Sequence, residues 1–394
     1  MLSPESFYYF FREHYGYPSR DNIIFCPKYN GAKEIINFMP YLHGDFKDQY
    51  LTKMDIDEKI KFGSILLHDQ EPLMDLNYLT NIYQQKYFPN KSPESPEETI
   101  RILRTWFRSV KNPIWCHSEK NSKEIFLLEN NGFVSCYYWY HGIISLNWFN
   151  EWRWCHKLDQ IIKNPGSKKF LLYARDFTGT REYRKIFLEN IKSFRDYVLY
   201  DWEQQKTITA DYSAKIDVND AVNSYIHIIA ETIFDTDKQH LTEKSLKPIV
   251  MSQPFIILSG PKSLEYLRSY GFQTFDSIWD ESYDREPDSK RRMEMVIDLI
   301  TYLCNLSESD FFKIYEKTIP ILEHNRKWFY SEKFYKILIN ELESNLESAF
   351  SRRDDIYKIS PTQWKELIKQ CTTDMPIDVQ ALAKIYQPQL LIND

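Results

Sequence analysis

Short apolar runs, each stopping abruptly at a polar cluster, recur along this chain. Ser64-Ile-Leu-Leu67 ends at His68-Asp-Gln-Glu71-Pro72, and Pro113-Ile-Trp-Cys116 ends at His117-Ser-Glu119. Phe170-Leu-Leu-Tyr-Ala174 ends at Arg175-Asp176, and Tyr225-Ile-His-Ile-Ile-Ala230 ends at Glu231. Pro254-Phe-Ile-Ile-Leu258 ends at Ser259-Gly-Pro261. Runs this short and this apolar suit strands buried on both faces. Helical spacing returns between them, in Thr99–Val110, Lys123–Asn130, Arg181–Lys192 and Ser263–Tyr270. Parallel strands need crossovers of about that length, usually helical. The pattern predicts an α/β chain of parallel sheets covered by helices.

At 394 residues the chain is long enough for two domains. We expect two Rossmann-like domains, 1–160 and 168–330, and a helical C-terminal extension over 331–394. Lys163-Asn-Pro-Gly-Ser-Lys-Lys169 reads as the linker. Further expectations are strands at Asn22–Cys26, Phe133–Trp139, Val198–Tyr200 and Phe272–Phe275, short helices at Ala32–Phe38 and Asp217–Ser224, and consecutive amphipathic helices over 289–350. Ser118, Thr180 and Ser263 read as helix caps, and Gly271 as the residue just past a helix end. Asn147–Cys155 is rich in aromatics and reads as a packing helix, with a stacking platform as the alternative.

Only 10 residues are Gly, and neither G-x-G-x-x-G nor a Walker A sequence occurs. Any phosphate must therefore be held by Lys, Arg and helix ends. The formal charge of −6, from 50 basic and 56 acidic residues, weighs against coating nucleic acid. The six Cys show no C-x-x-C and no zinc spacing, so we expect reduced thiols, no metal and a cytoplasmic protein. No apolar run approaches membrane-spanning length.

Open parallel sheets bind ligands beyond the carboxyl ends of their strands. The polar clusters that end these runs sit there. His68, Asp69 and Glu71 offer three titratable groups within four residues, any one of which could serve as general base or cap the next helix. His117, Glu119 and His141 are acceptor-side candidates in the same half. In the second half, Arg175, Arg181 and Arg184 crowd a strand end and a helix start, a disfavoured place for cations unless an anion is bound, with surface arginines paired to Asp176 and Glu182 as the alternative. The loop after Ala230 ends in Thr242-Glu243-Lys244 at another helix start, which also favours anions.

Ala230-Glu231-Thr232, then His240-Leu-Thr-Glu-Lys244, then Pro254-Phe-Ile-Ile-Leu-Ser-Gly260 resembles the donor-site signature of the α1,3-fucosyltransferases. The likeness covers about residues 168–330, and the stretches Thr274-Phe-Asp276 and Trp279-Asp-Glu-Ser-Tyr283 resemble viral and bacterial proteins of glycosyltransferase type. His240 stands where that family has Tyr, and Thr232 where it has Asn. The resemblance implies a metal-independent, inverting glycosyltransferase of GT-B architecture, taking a GDP-fucose-like nucleotide sugar, with no cofactor. It implies that Glu231 and Glu243 bind ribose or sugar hydroxyls, that Thr242 opens the helix, and that Lys244, Arg175 and Arg181 neutralise the diphosphate. The acceptor is a glycan or another hydroxyl compound. Two alternatives stay open: a phage-type enzyme glycosylating modified DNA bases, in the host cytoplasm if viral, and a non-catalytic nucleotide- or glycan-binding protein.

Overall fold

A computed structural model describes residues 35–38, 65–68, 73, 114–155, 166–203 and 215–355. They form a mixed α/β protein with two four-stranded parallel sheets. Two compact units divide them. One contains 35–38, 65–68, 73, 114–140 and 341–355, and the other 141–155, 166–203 and 215–340. The division falls after Tyr140, where the sequence suggested 160–168. Expected elements at Asn22–Cys26 and Thr99–Val110 lie outside the described residues.

In the first unit, β1 (Ile35–Phe38), β2 (Ile65–His68), β3 (Ile114–His117) and β4 (Val134–Tyr137) lie side by side in chain order. The sequence expectation of a helix over Ala32–Phe38 is corrected here: Ile35–Phe38 is the edge strand, in register with Ile65–His68. Its Ile-Ile-Asn-Phe run has the β-branched and aromatic character of a strand and is too short for a stable helix. Every residue of β3 is buried. Helix α1 (Lys123–Asn130) follows β3 and stops before Gly132, whose φ of 80° a side chain would resist. The sequence expectation that Ser118 caps this helix is corrected: Ser122 occupies the N-cap position, and the Ser118 hydroxyl accepts from the Tyr140 backbone N–H at 3.2 Å.

The second unit opens with helix α2 (Tyr140–Trp148, its first residue counted with the other unit). A 3-10 turn, Asn150–Trp154, completes the aromatic stretch. Phe149 is fully buried, and the stretch is pinned by the Tyr330 hydroxyl on the Phe149 carbonyl (2.8 Å) and by Arg326 on the Trp152 carbonyl (2.8 Å). It packs, although Trp154 stays exposed.

The strands β5 (Lys168–Tyr173), β6 (Val198–Leu199), β7 (Ser224–Ala230) and β8 (Phe255–Leu258) form the second sheet, in the order β6-β5-β7-β8. The chain thus moves outward from β5 to β6, then crosses back to β7 and continues to β8. The order reverses between β5 and β7, and crevices at such reversals are where open parallel sheets bind ligands. Lys168 and Lys169, expected in a linker, begin β5. Lys169 is buried, and its ammonium donates to the carbonyls of Leu303 (2.9 Å), Cys304 (2.8 Å) and Leu306 (3.0 Å). It caps the C-terminal end of α7 (Ser289–Asn305), where a cation is favoured.

Between the strands run α3 (Tyr183–Ile191), α4 (Val218–Val222) and α5 (Glu243–Val250). Asp217 caps α4 by accepting from the N–H groups of Asn219 and Asp220. Thr180 does not cap α3; a 3-10 turn, Gly179–Arg181, precedes that helix instead. After β8 come α6 (Ser263–Ser269), α7, α8 (Glu308–Phe329) and α9 (Glu332–Asp355). Ser263 donates to the Gly260 carbonyl and does not cap α6. The Asp284 carboxylate does so from 20 residues away, accepting from Leu264 N–H at 2.8 Å and Glu265 N–H at 3.2 Å. The far end of α6 closes as a Schellman motif: Gly271 N–H bonds the Arg268 carbonyl and Phe272 N–H the Leu267 carbonyl, with Gly271 at φ 90°. Phe272–Phe275 is not a strand. Its backbone is satisfied by side chains, with Gln273 bonded at both N–H and C=O to Asn325 and Phe275 N–H to Glu281.

Candidate functional site

The second unit assembles its titratable groups where the strand order reverses. Glu231 follows the last residue of β7 directly, Arg175 lies two residues beyond the end of β5, and α5 begins after the loop beyond β7. Thr242 is the N-cap of α5: it is extended at φ −99° and accepts from the Lys244 N–H.

Glu231 is fully buried and both its oxygens face protein donors. Oε1 accepts from Thr242 N–H (3.1 Å) and the Ser245 hydroxyl (2.6 Å). Oε2 accepts from the Thr242 hydroxyl (2.7 Å) and its neighbour Thr232 N–H (3.3 Å). One carboxylate thereby fastens the end of β7 to the first turn of α5. This geometry makes Glu231 a positioning residue for Thr242, Glu243 and Lys244.

Lys244 is one-third exposed, with its ammonium 3.1 Å from the Thr242 hydroxyl, 3.4 Å from the Thr232 hydroxyl and 3.6 Å from Glu243 Oε1. Glu243 is buried, and its Oε2 lies 3.1 Å from Nδ1 of His141. Burial would push the Glu243 carboxyl up, but Lys244, the His141 hydrogen bond and Lys247 together hold it well below the usual carboxylate range. An ionised carboxylate therefore sits between a histidine on one oxygen and a lysine on the other.

Lys247, one turn further along α5, is a residue the motif reading passed over. Four residues separate it from Glu243, so the two share a helix face. It is buried over the ring of Tyr173 at 5.4 Å, and burial lowers its amine to about 8, the largest of several effects. Tyr173 in turn donates to Asp220 (2.7 Å) and packs edge-on against His227. The spacing of Glu243 and Lys247 was the available signal, masked by the weight given to Thr-Glu-Lys.

The three arginines separate by role. Arg184 is buried and donates to the carbonyls of Asp176 (2.9 Å), Ala230 (2.9 Å) and Glu231 (2.8 Å), tying the ends of β5 and β7 together. Arg181 pairs with Asp176 at 3.3 Å. Arg175 as a whole residue is exposed, although its guanidinium is surrounded closely enough that desolvation lowers its pKa, opposed by attraction from Glu243 and aided by repulsion from Arg184 and Arg181; the whole-residue exposure is the better guide to its access to solvent, and it stays charged throughout. Lys244, Lys247 and Arg175 thus gather around a single buried carboxylate with a helix N-terminus beside them.

In the first unit, His117 and Glu119 are buried at the carboxyl edge of β3. They help line a cavity of about 470 Å³, together with Lys120, Asn121, Tyr137 and Arg352. Glu119 Oε1 accepts from the Leu73 N–H at 2.6 Å. His141, grouped with these two in the sequence reading, belongs to the second unit and sits with Glu243. The backbone of His68 ends β2, while Asp69 and Glu71 lie outside the described residues.

Among the described residues no group of three or more His, Cys, Asp or Glu side chains is placed to hold a metal ion. None of their helices is long and apolar enough to cross a membrane. Cys116, Cys136, Cys155 and Cys304 are free thiols. Comparison with protein-family models, with curated proteins and with solved structures finds no match to this chain.

Proposed function

We propose that the protein is a glycosyltransferase that takes a sugar nucleotide at the reversal of the second sheet. The observation that carries this reading is the gathering of Arg175, Lys244 and Lys247 at the α5 N-terminus, beyond the ends of β5 and β7. When the sugar leaves, the nucleoside diphosphate gains negative charge, and fixed cations aimed at it lower the barrier. Lys244 and Arg175 reach solvent and meet the diphosphate; Lys247 adds its field from beneath. Arg181 helps through Asp176, and Arg184 holds the strand ends rather than the ligand.

The reading assigns the two parallel-sheet units to the two domains of a GT-B enzyme. His117, Glu119 and His141 remain candidates for the acceptor side, and His68, Asp69 and Glu71 for assisting the transfer. GDP-fucose is the favoured donor on the resemblance of the Thr242-Glu-Lys244 stretch. No cofactor and no metal enter this scheme.

A thermal-shift panel of GDP, UDP, CDP and GDP-fucose tests it. A ligand at one hundred times its Kd stabilises the folded state by about 2.7 kcal/mol. At least one nucleotide should raise the melting temperature, and Lys244→Ala should reduce that rise. A panel in which no nucleotide shifts the wild-type protein would refute the donor site.

A further inference from the structure

We propose that Arg292 is a positioning residue of the donor site, holding the 232–241 loop that joins β7 to α5 and thereby fixing where Lys244 stands. This rests on the donor-site reading and adds to it a residue from outside the Thr242-Glu-Lys244 stretch. Arg292 acts through the loop and not on the ligand.

Arg292 lies in the first turn of α7 and is 2% exposed. That is a costly place for a guanidinium, because burial opposes its charge and a helix N-terminus repels cations. Four backbone carbonyls offset the cost. Nη2 donates to Phe234, Nε to Ser259 (2.9 Å), and Nη1 to Glu286 (2.6 Å) and Pro287 (3.2 Å). These carbonyls belong to three separate segments: the loop, the residue just past β8, and the residues just before α7. Burial lowers the pKa of Arg292, and attraction from Asp235, Glu286, Asp237 and Asp284 works the other way. Two of those carboxylates, Asp235 and Asp237, are in the loop itself. Only a fork of five donors can serve all three segments at once; an ammonium on a flexible stem cannot.

The contacts at Phe234 lead back to the site. The Arg292 guanidinium carbon is 4.7 Å from the centre of the Phe234 ring, and Tyr183 stacks on that ring at 4.5 Å. The Tyr183 hydroxyl donates to the Glu231 carbonyl at 2.6 Å, so the loop leaves β7 already held. Two residues before Phe234, the Thr232 hydroxyl accepts from the Lys244 ammonium at 3.4 Å. Further along, the loop is laid against the turn after β8. A Cβ on Gly260 would lie 2.7 Å from the Thr236 carbonyl oxygen and 3.1 Å from that of Lys238, a closeness only glycine permits. The Gln239 side chain donates to the Lys262 carbonyl at 3.2 Å. Ser259, bonded by Arg292, directly precedes Gly260, so the arginine ties the loop to the same turn it rests on.

Two readouts separate this role from a merely structural one: GDP affinity by calorimetry, at a temperature where every variant is folded, and amide hydrogen exchange of residues 232–244 without nucleotide. Arg292→Lys and Arg292→Gln should speed exchange in that segment by about tenfold or more, because the loop loses charge-assisted bonds that close it. GDP should bind those variants about tenfold or more weakly, the change a displaced Lys244 would produce. Gly260→Ala, pressing on the same loop from Thr236, should reproduce both changes. Gly271→Ala is the control, since its strain lies at the far end of α6 against Trp328; it should lose stability but keep loop exchange and GDP affinity within about threefold of wild type. The inference is overturned if the folded Arg292 variants exchange the loop or bind GDP as wild type does, or if Gly271→Ala weakens GDP as much as they do. It is overturned too if neither Arg292 variant folds, which would make Arg292 a residue of the whole scaffold. A wild-type protein that binds no GDP would bring down the donor-site reading instead, and exchange would still show whether Arg292 holds the loop.

Discussion

Glu231 separates two ways a buried acid at a strand end can serve a ligand site: by touching the ligand, or by holding the residues that do. Replacing it with Gln keeps the volume and removes the charge. The structure gives the carboxylate four donors: the N–H groups of Thr232 and Thr242, and the hydroxyls of Thr242 and Ser245. A Gln oxygen can keep two of them. The new NH2 group then faces one hydroxyl, which can rotate to accept, and one backbone N–H, which cannot. A buried N–H left without an acceptor costs about 1–3 kcal/mol, and hydrogen bonds to a charged acceptor contribute about 1.5–3 kcal/mol each. Glu231→Gln should therefore lose about 3 kcal/mol of stability.

Urea unfolding at pH 7, followed by tryptophan fluorescence, reads that loss as a lower midpoint at unchanged slope. A cycle with Ser245→Ala should give a coupling of about 1 kcal/mol or more, because the two side chains share a bond of 2.6 Å. Nucleotide affinity should fall only as far as α5 loosens. The positioning role is refuted if Glu231→Gln unfolds within about 0.5 kcal/mol of wild type, the scale of an ordinary surface substitution, while its nucleotide affinity drops tenfold.

Two further outcomes follow from the second unit. A Cβ on Gly271 would lie 2.5 Å from Trp328 Cζ2, at a φ of 90°; strain of about 1–2 kcal/mol and overpacking of about 1–3 kcal/mol make Gly271→Ala cost about 3 kcal/mol, a melting temperature lower by about 6–12 °C in calorimetry. His227 is buried, and desolvation, with a smaller push from Lys247, lowers its pKa to about 3, whereas the unfolded chain titrates near 6.5. Between those values the unfolded state binds the extra proton, so this contribution is present above about pH 6.5 and is lost at about 1.4 kcal/mol per pH unit as pH falls towards 3. From pH 7 to pH 4 the urea midpoint of wild type should fall relative to that of His227→Leu, and parallel curves would show that His227 is not the titrating group.

Local signals in the sequence carried much of this architecture. Thr242 and Gly271 were legible because a cap and a left-handed C′ residue depend on neighbours within a few positions. The same reasoning misread Ser263, since the carboxylate that caps α6 belongs to Asp284, and no local rule joins residues 20 apart. Phe272–Phe275 had the composition of a strand, yet Asn325 and Glu281 satisfy its backbone instead of a neighbouring strand. Ile35–Phe38 erred in the opposite direction: its short apolar run fits a helical turn until a partner strand is present. At the site, the motif located Glu231 and Glu243 but not their difference. Both are buried acids near the start of α5. One accepts four protein hydrogen bonds, and the other divides its oxygens between His141 and Lys244. That distinction depends on contacts across 102 residues, which spacing alone does not contain.

The basic residues of the second unit show how the same charge is put to two uses. Buried Lys169, Arg184 and Arg292 all end on backbone carbonyls: Lys169 on the last turn of α7, Arg184 on the ends of β5 and β7, and Arg292 on Ser259, Phe234, Glu286 and Pro287. A parallel sheet directs its strand-end carbonyls to one edge, and a guanidinium with five donors satisfies several of them at once. Lys244 instead meets side-chain hydroxyls and a carboxylate, and keeps a third of its surface open. A hydroxyl can rotate and a carboxylate can share, so these partners can yield to an incoming anion, whereas backbone carbonyls cannot move without disturbing the strands. The arginines that read from sequence as one phosphate cluster are therefore divided by what they bond. Arg184 is committed to the scaffold and Arg181 to Asp176, which leaves the α5 lysines with Arg175 as the cations of the proposed donor site.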